Sequence, residues 1–220
     1  MAEIAITGGI GSGKTTVARQ LVGKGAVLVD ADQIVKDLQQ PGGEDFLGIV
    51  ERYRREIVLE TGLLDLHMIA DIVLNYEHDL SKLNEIVHPA VGKEMGRKRN
   101  EALDKGNVVL VDIPLMVTPE GKLGRDEYEN FDGKIVVDCS IETAVSRLIK
   151  FRGFAEEDAR ARIAQQATPE QRRAFADFLI DNNKLNFARA KPKDIRTQGK
   201  AKFEILFKIF IKNDGCVIFV

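Results

Sequence analysis

The residues GGIGSGKTT at positions 8–16 constrain the fold of this chain more than any other part of its sequence. A short apolar run, residues 4–7, precedes them, and residues 14–24 follow with apolar side chains at helical spacing. A second apolar run, rich in valine, covers residues 26–29. A strand, a glycine loop, a helix and a second strand form a βαβ unit, which implies a parallel sheet. The start of the chain therefore predicts an α/β fold.

The glycine loop itself contains the pattern G-x-x-x-x-G-K-[ST]. Glycines let several backbone N–H groups approach a phosphate, and the positive N-terminal end of the next helix faces the same point. Lysine adds a charge for the β- and γ-phosphates, and a threonine hydroxyl can bind Mg²⁺. A G-x-G-x-x-G dinucleotide loop does not fit, because a lysine occupies the position of its last glycine. The predicted nucleotide-binding residues are Gly9, Gly11, Ser12, Gly13, Lys14, Thr15 and Thr16.

Further strand candidates recur along the chain and complete a sheet of five strands. They are residues 108–111, 134–137 and 178–180. Residues 31–105 have no such run and favour several helices, broken near 41–43 and 61–62. Later helices are predicted for 141–151, 156–167 and 169–176, with Thr168 as an N-cap and Pro169 in the first turn. We expect a doubly wound α/β domain.

Carboxylates follow two of the predicted strands, where ligands bind in a doubly wound sheet. Asp30 and Asp32 stand in the string DAD after the second strand. An aspartate there can take the proton of an attacking hydroxyl, or it can cap the next helix. The residues alone favour the cap for Asp30 and leave both roles open for Asp32. Asp112 ends the third strand, where a carboxylate can hold Mg²⁺ or serve a turn.

The composition limits the kinds of molecule and the cellular location that we expect for this protein. The chain carries 32 basic and 34 acidic residues, so its net charge of −2 gives no reason to expect nucleic acid. Cys139 and Cys216 lie far apart and suggest neither a disulfide framework nor a zinc site. No signal peptide and no apolar stretch near ~20 residues is visible, which predicts a cytoplasmic protein without a membrane span. We expect a monomer or a weak homo-oligomer.

These motifs together resemble the dephospho-coenzyme A kinase family. The likeness runs from about residue 3 to 183 and includes TGGIGSGKTT, VDADQIV, TGLLD, the pair His88–Pro89, VVLVDIPLM and ADFLIDNN. It implies a P-loop kinase domain over residues 1–183, with a helical acceptor region at about 31–105 and a lid at about 141–168. It also implies transfer of the γ-phosphate of ATP to the ribose 3′-hydroxyl of dephospho-CoA, with Mg²⁺.

The resemblance also assigns roles that position alone does not. A lone histidine is more often packed or capping than catalytic, and basic residues such as Lys150 and Arg152 on a helix usually form a solvated face. The family pattern places His88 and Pro89 in the acceptor site with Asp112, and makes Asp32 the presumed base. The implied lid and adenine residues are Arg147, Asp181 and Asn182.

Three departures from the family pattern stand out. Phe151 replaces a second lid arginine, for which Lys150 or Arg152 could compensate, and Leu66 replaces an arginine that contacts the acceptor. Residues 184–220 form an atypical tail, rich in phenylalanine and lysine.

Two other functions compete with the favoured one. Another P-loop kinase for a small hydroxyl compound would share the loop and differ in the acceptor region. A nucleotide-driven switch of the GTPase type would need D-x-x-G and N-K-x-D, and the sequence DIPL at Asp112 lacks the glycine.

Overall fold

The computed structural model describes residues 2–75 and 77–183 of the chain. The predicted tail, together with Cys216, lies outside the described residues. Contacts divide the described chain into two compact units, one made of residues 2–29 and 102–183 and the other of residues 30–101. Each unit is described by itself.

Within residues 2–75 and 77–183, five strands form a single sheet in the order β2–β3–β1–β4–β5. Strand β1 pairs in parallel with β3 on one side and β4 on the other, and β4 pairs in parallel with β5. The chain passes from the central β1 to the edge strand β2, returns to β3 between them, and then crosses to β4 and β5 on the other side. This order confirms the predicted doubly wound α/β fold. The strands are β1 (Glu3–Gly8), β2 (Val27–Asp30), β3 (Val109–Asp112), β4 (Gly133–Asp138) and β5 (Phe178–Asp181).

The helices fall where the sequence predicts them, with small differences at their ends. Predicted helix 156–167 ends at Ala164, because Gln166 turns toward the glycine loop and Ala167 packs in the core. None of the described helices is long and apolar enough to cross a membrane. They are α1 (Lys14–Gly23), α2 (Ala31–Leu38), α3 (Glu44–Tyr53), α4 (Leu66–Asn75), α5 (Glu77–Asp104), α6 (Ile141–Arg152), α7 (Glu156–Ala164) and α8 (Pro169–Arg173), with 3₁₀ turns at Arg55–Ile57 and Asp126–Asn130.

Helix α8 begins at a capping signal that is visible in the sequence. Thr168 accepts the N–H of Gln171, and the Gln171 side chain accepts the N–H of Thr168 in return. Pro169 stands at the first helical position, where no N–H is needed. This capping box fixes the turn between α7 and α8, and the predicted cap is confirmed. The helix ends at Arg173, three residues earlier than predicted.

The unit that contains the sheet has apolar layers on both faces. Ile4 and Ile6 of β1 pack with Val17 and Leu21 of α1 on one face. Ala5, between them, packs with Met116 on the other. The alternation follows from the period of two along a strand. The central strand is therefore buried on both sides, which holds the loop at its end in a fixed place.

The other unit is built from α2–α5 around its own cluster, which includes Ile49, Ile57 and Ile69. Gly48 of α3 lies against α5, where an added Cβ would come 2.8 Å from Ile86 Cγ2. The breaks predicted near 41–43 and 61–62 fall between α2 and α3 and in the turn before α4, so they are confirmed.

A buried carboxylate, Asp45, stands in the first turn of α3. Its side chain is 0% exposed, and neither oxygen has a hydrogen-bond partner within the part of the chain that is described. Burial, with a smaller contribution from the neighbouring charge of Glu44, raises the pKa of Asp45 from 3.8 to about 6. The folded state therefore keeps this proton up to a higher pH than the unfolded state does.

This buried acid makes stability depend on pH. Because the folded state binds more protons between about pH 4 and 6, the free energy of unfolding falls as pH rises through that window. Asp45→Asn removes the titration. We expect its stability relative to the wild type to improve by up to about 3 kcal/mol between pH 4 and pH 8, as measured by urea unfolding. Glu51→Gln, an exposed change on the same helix, is the control, and parallel profiles for Asp45→Asn and wild type would contradict the assignment.

Candidate active site

The glycine loop joins the end of β1 to the start of α1. Gly11 and Gly13 have φ angles of +78° and +88°, which residues with a Cβ rarely adopt. Gly13 occupies the N-cap position of α1, and no side chain caps the helix there. The first-turn N–H groups of α1 are thus left for a ligand, and the helix dipole favours an anion at this end.

Carbonyl groups of the loop are held from one side. Arg147 Nη1 donates to the carbonyl oxygens of Gly11 and Ser12 at 3.3 and 3.2 Å, and Asn182 Nδ2 donates to Ser12 at 2.8 Å. In a planar trans peptide, the N–H points away from the C=O of the same unit. The Gly13 N–H therefore points away from Arg147 and Asn182.

The N–H groups of the loop divide into those already bonded and those that remain. Ser12 donates to the Gly9 carbonyl at 3.0 Å, Thr16 donates to the Gly13 carbonyl at 3.0 Å, and Ile10 donates to Gln166 Oε1 at 2.9 Å. Between positions 11 and 15, the other donors have no acceptor within residues 2–75 and 77–183, and this arrangement suits a phosphate group. They are the N–H groups of Gly11, Gly13, Lys14 and Thr15.

An ion pair joins Lys14 to Asp112 at the carboxyl end of β3. The side chains are 14% and 7% exposed, so the charges are poorly screened by water. Asp112 lies opposite Ile6 in the β1–β3 register, next to the start of the loop. The ammonium group is thereby held close to the loop before any phosphate arrives.

The residues predicted to hold Mg²⁺ carry oxygen atoms, which are the ligands that this ion prefers. Asp112 supplies a nearly buried carboxylate, and Thr15 is an exposed hydroxyl residue in the first turn of α1. Mg²⁺ usually takes one or two protein oxygens and completes its shell with phosphate and water. No group of three or more His, Cys, Asp or Glu that could hold a metal occurs among the described residues.

Arg147 and Asn182 form hydrogen bonds with the glycine loop and with each other. Arg147 Nη2 also donates to the carbonyl oxygen of Asn182 at 2.6 Å, and Asn182 is 3% exposed. Asp181 Oδ1 accepts two bonds from Asn183. The roles predicted for these residues, near the phosphates and the adenine, stay predictions, and the structure adds that two of them support the loop.

At the end of α6, the position of the absent lid arginine is solvent-exposed. Phe151 is 65% exposed, and the Lys150 ammonium lies 5.4 Å from the centre of its ring. Arg152 is also exposed. Whether Lys150 or Arg152 compensates stays a prediction.

Sequence reasoning missed a set of polar residues behind the loop. Asp138, at the end of β4, binds Arg173 at 2.6 Å and lies 3.9 Å from Arg172. Burial raises the pKa of the adjacent Cys139 thiol, which therefore stays protonated at neutral pH. No motif could have revealed these residues, because they meet only through the fold. Asp138, Cys139 and Arg172, together with loop residues, line a cavity of about 230 Å³.

The DAD string falls at the start of the other unit. Asp30 is the N-cap of α2, and its side chain accepts the N–H of Gln33 at 3.2 Å, which confirms the cap role. Asp32 stands in the first turn, is exposed, and makes no hydrogen bond or ion pair with another described residue. The capping alternative for Asp32 is thus removed, while its role as a base stays a prediction.

His88 and Pro89 lie in α5 and are exposed. Both line an open cavity of about 550 Å³ within this unit, whose wall also includes Ser81 and Asn84. Leu66, at the start of α4, is 57% exposed. The cavity offers polar and apolar contacts and suits a ligand that carries both.

The doubly wound sheet and its glycine loop define a P-loop nucleotide-binding protein. The dephospho-CoA kinase family matches residues 2–186. The chain is 42% identical over 183 residues to dephospho-CoA kinase of Thermobifida fusca, covering 83% of this chain and 88% of that one. It is 41% identical to dephospho-CoA kinase of Streptomyces avermitilis, with 83% and 86% covered. A crystal structure of a Thermus thermophilus protein superposes with a TM-score of 0.63 at 26% identity, covering 84% and 90%. The chain belongs to the dephospho-CoA kinase family.

Proposed function

We propose that this protein transfers the γ-phosphate of ATP to the ribose 3′-hydroxyl of dephospho-CoA and so forms coenzyme A. The match of the dephospho-CoA kinase family over residues 2–186 carries this proposal, because it includes the glycine loop, the DAD string and the His-Pro pair. The loop geometry supports the ATP half of the reaction. We expect the reaction to take place in the cytoplasm.

On the donor side, the four remaining N–H groups of the loop bind phosphate oxygens. Lys14 exchanges part of its contact with Asp112 for the β- and γ-phosphates and neutralises the charge that grows on them during transfer. Mg²⁺, bound by Thr15 and Asp112 together with the nucleotide, would supply further positive charge. Arg147 and Asn182 keep the loop carbonyls turned away from the phosphates. Asp181 and Asn182 are the proposed neighbours of the adenine.

On the acceptor side, Asp32 accepts the proton of the attacking 3′-hydroxyl. Since Asp30 caps α2, the Asp32 carboxylate is available for this step. His88 and Pro89 line the cavity that we assign to the acceptor. Asp112 is a further proposed acceptor-binding residue. A neutral hydroxyl is a weak nucleophile. An oriented base that removes its proton therefore favours its attack on the γ-phosphate.

The test is to incubate the purified chain with ATP, Mg²⁺ and dephospho-CoA and to analyse the products by mass spectrometry. We expect ADP and a product that is heavier than dephospho-CoA by one phosphoryl group and co-elutes with authentic coenzyme A. Parallel reactions with adenosine, AMP and pantetheine test other acceptors. Transfer to one of these in preference to dephospho-CoA would overturn the substrate, and binding of GTP in preference to ATP without transfer would favour a switch.

A further inference from the structure

The first half of the glycine loop is held by the turn between α7 and α8. The Ile10 N–H donates to Gln166 Oε1 at 2.9 Å. The carbonyl at the other end of the same peptide unit, that of Gly9, accepts the Ser12 N–H at 3.0 Å. Both ends of one rigid plane are thus bonded, so this peptide cannot rotate without breaking a hydrogen bond.

Gln166 is itself fixed by its surroundings. Its N–H donates to the Ile163 carbonyl at 3.1 Å, which ties it to the end of α7. The next residue, Ala167, is 3% exposed and lies in an apolar cluster of the core. The capping box at Thr168 then begins α8. The side-chain oxygen that meets Ile10 is therefore presented from a rigid turn.

A second residue, Arg172 of α8, contacts the loop next to the hydrogen bond between Ile10 and Gln166. The guanidinium of Arg172 lies against Gly9, where an added Cβ would come 2.7 Å from Nη2. Arg172 is 9% exposed and donates from Nη1 to the Ala167 carbonyl. This contact leaves no room for Gly9 to move toward α8. Arg172 therefore restricts the loop at the same place where Gln166 binds it.

We propose that Gln166 is a positioning residue for phosphate binding, which presets the first half of the loop by holding the Ile10 N–H. This inference rests on the proposed function, since it assigns the loop to ATP. Gln166 acts on Gly9 and Ile10, while Arg147 and Asn182 act on Ser12 from the other end of the loop. Held at both ends, the loop presents its four remaining N–H groups without having to reorganise when the nucleotide binds.

Replacing Gln166 by methionine tests the proposal, because it keeps the length of the side chain and removes the acceptor. The Ile10 N–H then loses its acceptor and the peptide can rotate. Nucleotide binding must bring the peptide back to its original orientation. We expect the dissociation constant for ADP–Mg²⁺, measured by calorimetry, and the KM for ATP to rise about 10-fold, whereas kcat changes less than about threefold. Gln166→Glu, which keeps an oxygen acceptor at that place, should raise these two constants less than Gln166→Met does, and the exposed neighbour Gln165→Met should change neither constant.

An amide exchange measurement on the unaltered chain checks the same point without a substitution. In the absence of nucleotide, the Ile10 amide should exchange more slowly than those of Gly11 and Lys14, and ADP–Mg²⁺ should slow the latter two. Equal exchange of Ile10 and Gly11 would overturn the proposal, as would a Gln166→Met variant that only melts earlier and binds ADP normally. Calorimetry with ADP needs no acceptor, so failure of the proposed transfer reaction would be recognised separately.

Discussion

Lys14→Ala is expected to lose most phosphoryl transfer, by about 10²–10³-fold in kcat, the effect typical of removing one electrostatic group from a water-excluded site. The ammonium lies beside the uncapped start of α1, and its side chain is only 14% exposed. Without it, the charge that develops on the β- and γ-phosphate oxygens loses a cation that neutralises it. The measurement is the steady-state rate of ADP formation with dephospho-CoA at saturating ATP.

The controls for this substitution follow from the ion pair. Removing Lys14 deprives the nearly buried Asp112 of its ammonium partner, so the melting temperature must be compared with that of the wild type. Arg19→Ala removes an exposed cation from the same helix and should leave the rate unchanged. A folded Lys14→Ala variant with near-normal turnover would contradict the assignment of the loop to ATP.

Asp32→Asn is expected to retain ATP binding and to lose turnover by about 10²–10⁴-fold, the usual contribution of a general base. Asparagine keeps the size of the side chain and most of its hydrogen bonding, and gives up the proton acceptor. Asp32 is exposed and does not cap α2, so the substitution should not disturb the fold. Single-turnover transfer to dephospho-CoA, with ATP affinity measured separately, distinguishes the loss of chemistry from a loss of binding.

Asp30→Asn is a matched control two residues away. Asparagine caps helices about as well as aspartate does, so the helix start should be preserved and turnover should stay near the wild-type value. If Asp32→Asn keeps turnover within about threefold of the wild type, Asp32 only orients the acceptor. If Asp30→Asn is the slower variant, the roles of the two carboxylates are exchanged.

Local sequence patterns predicted the parts of the fold that depend on local chemistry. The five strands were visible because buried parallel strands are continuous apolar runs, and the start of α8 because Thr168–Pro169 is a capping signal. The glycine loop was readable because its backbone angles require glycine at Gly11 and Gly13. Helix ends were less accurate, since α7 ends where Gln166 turns to meet Ile10, a contact 156 residues apart in the sequence.

The supports of the candidate site could not be predicted in the same way. Gln166, Arg172 and Asp138 carry no motif, and their positions relative to the loop depend on the order of strands in the sheet. Arg147 and Asn182 were expected near the nucleotide through the family resemblance. Their hydrogen bonds to loop carbonyls were not foreseen, because spacing in the sequence does not show which side of a loop a side chain approaches.

The bond between Asn182 and Ser12 has a consequence for the order of events during synthesis. The loop leaves the ribosome before its partners at Arg147, Gln166 and Asn182, which are made up to 170 residues later. Until those residues have been made, a nascent chain therefore carries the motif without the contacts that shape it. Competence to bind ATP should appear abruptly once β5 has emerged and paired with β4.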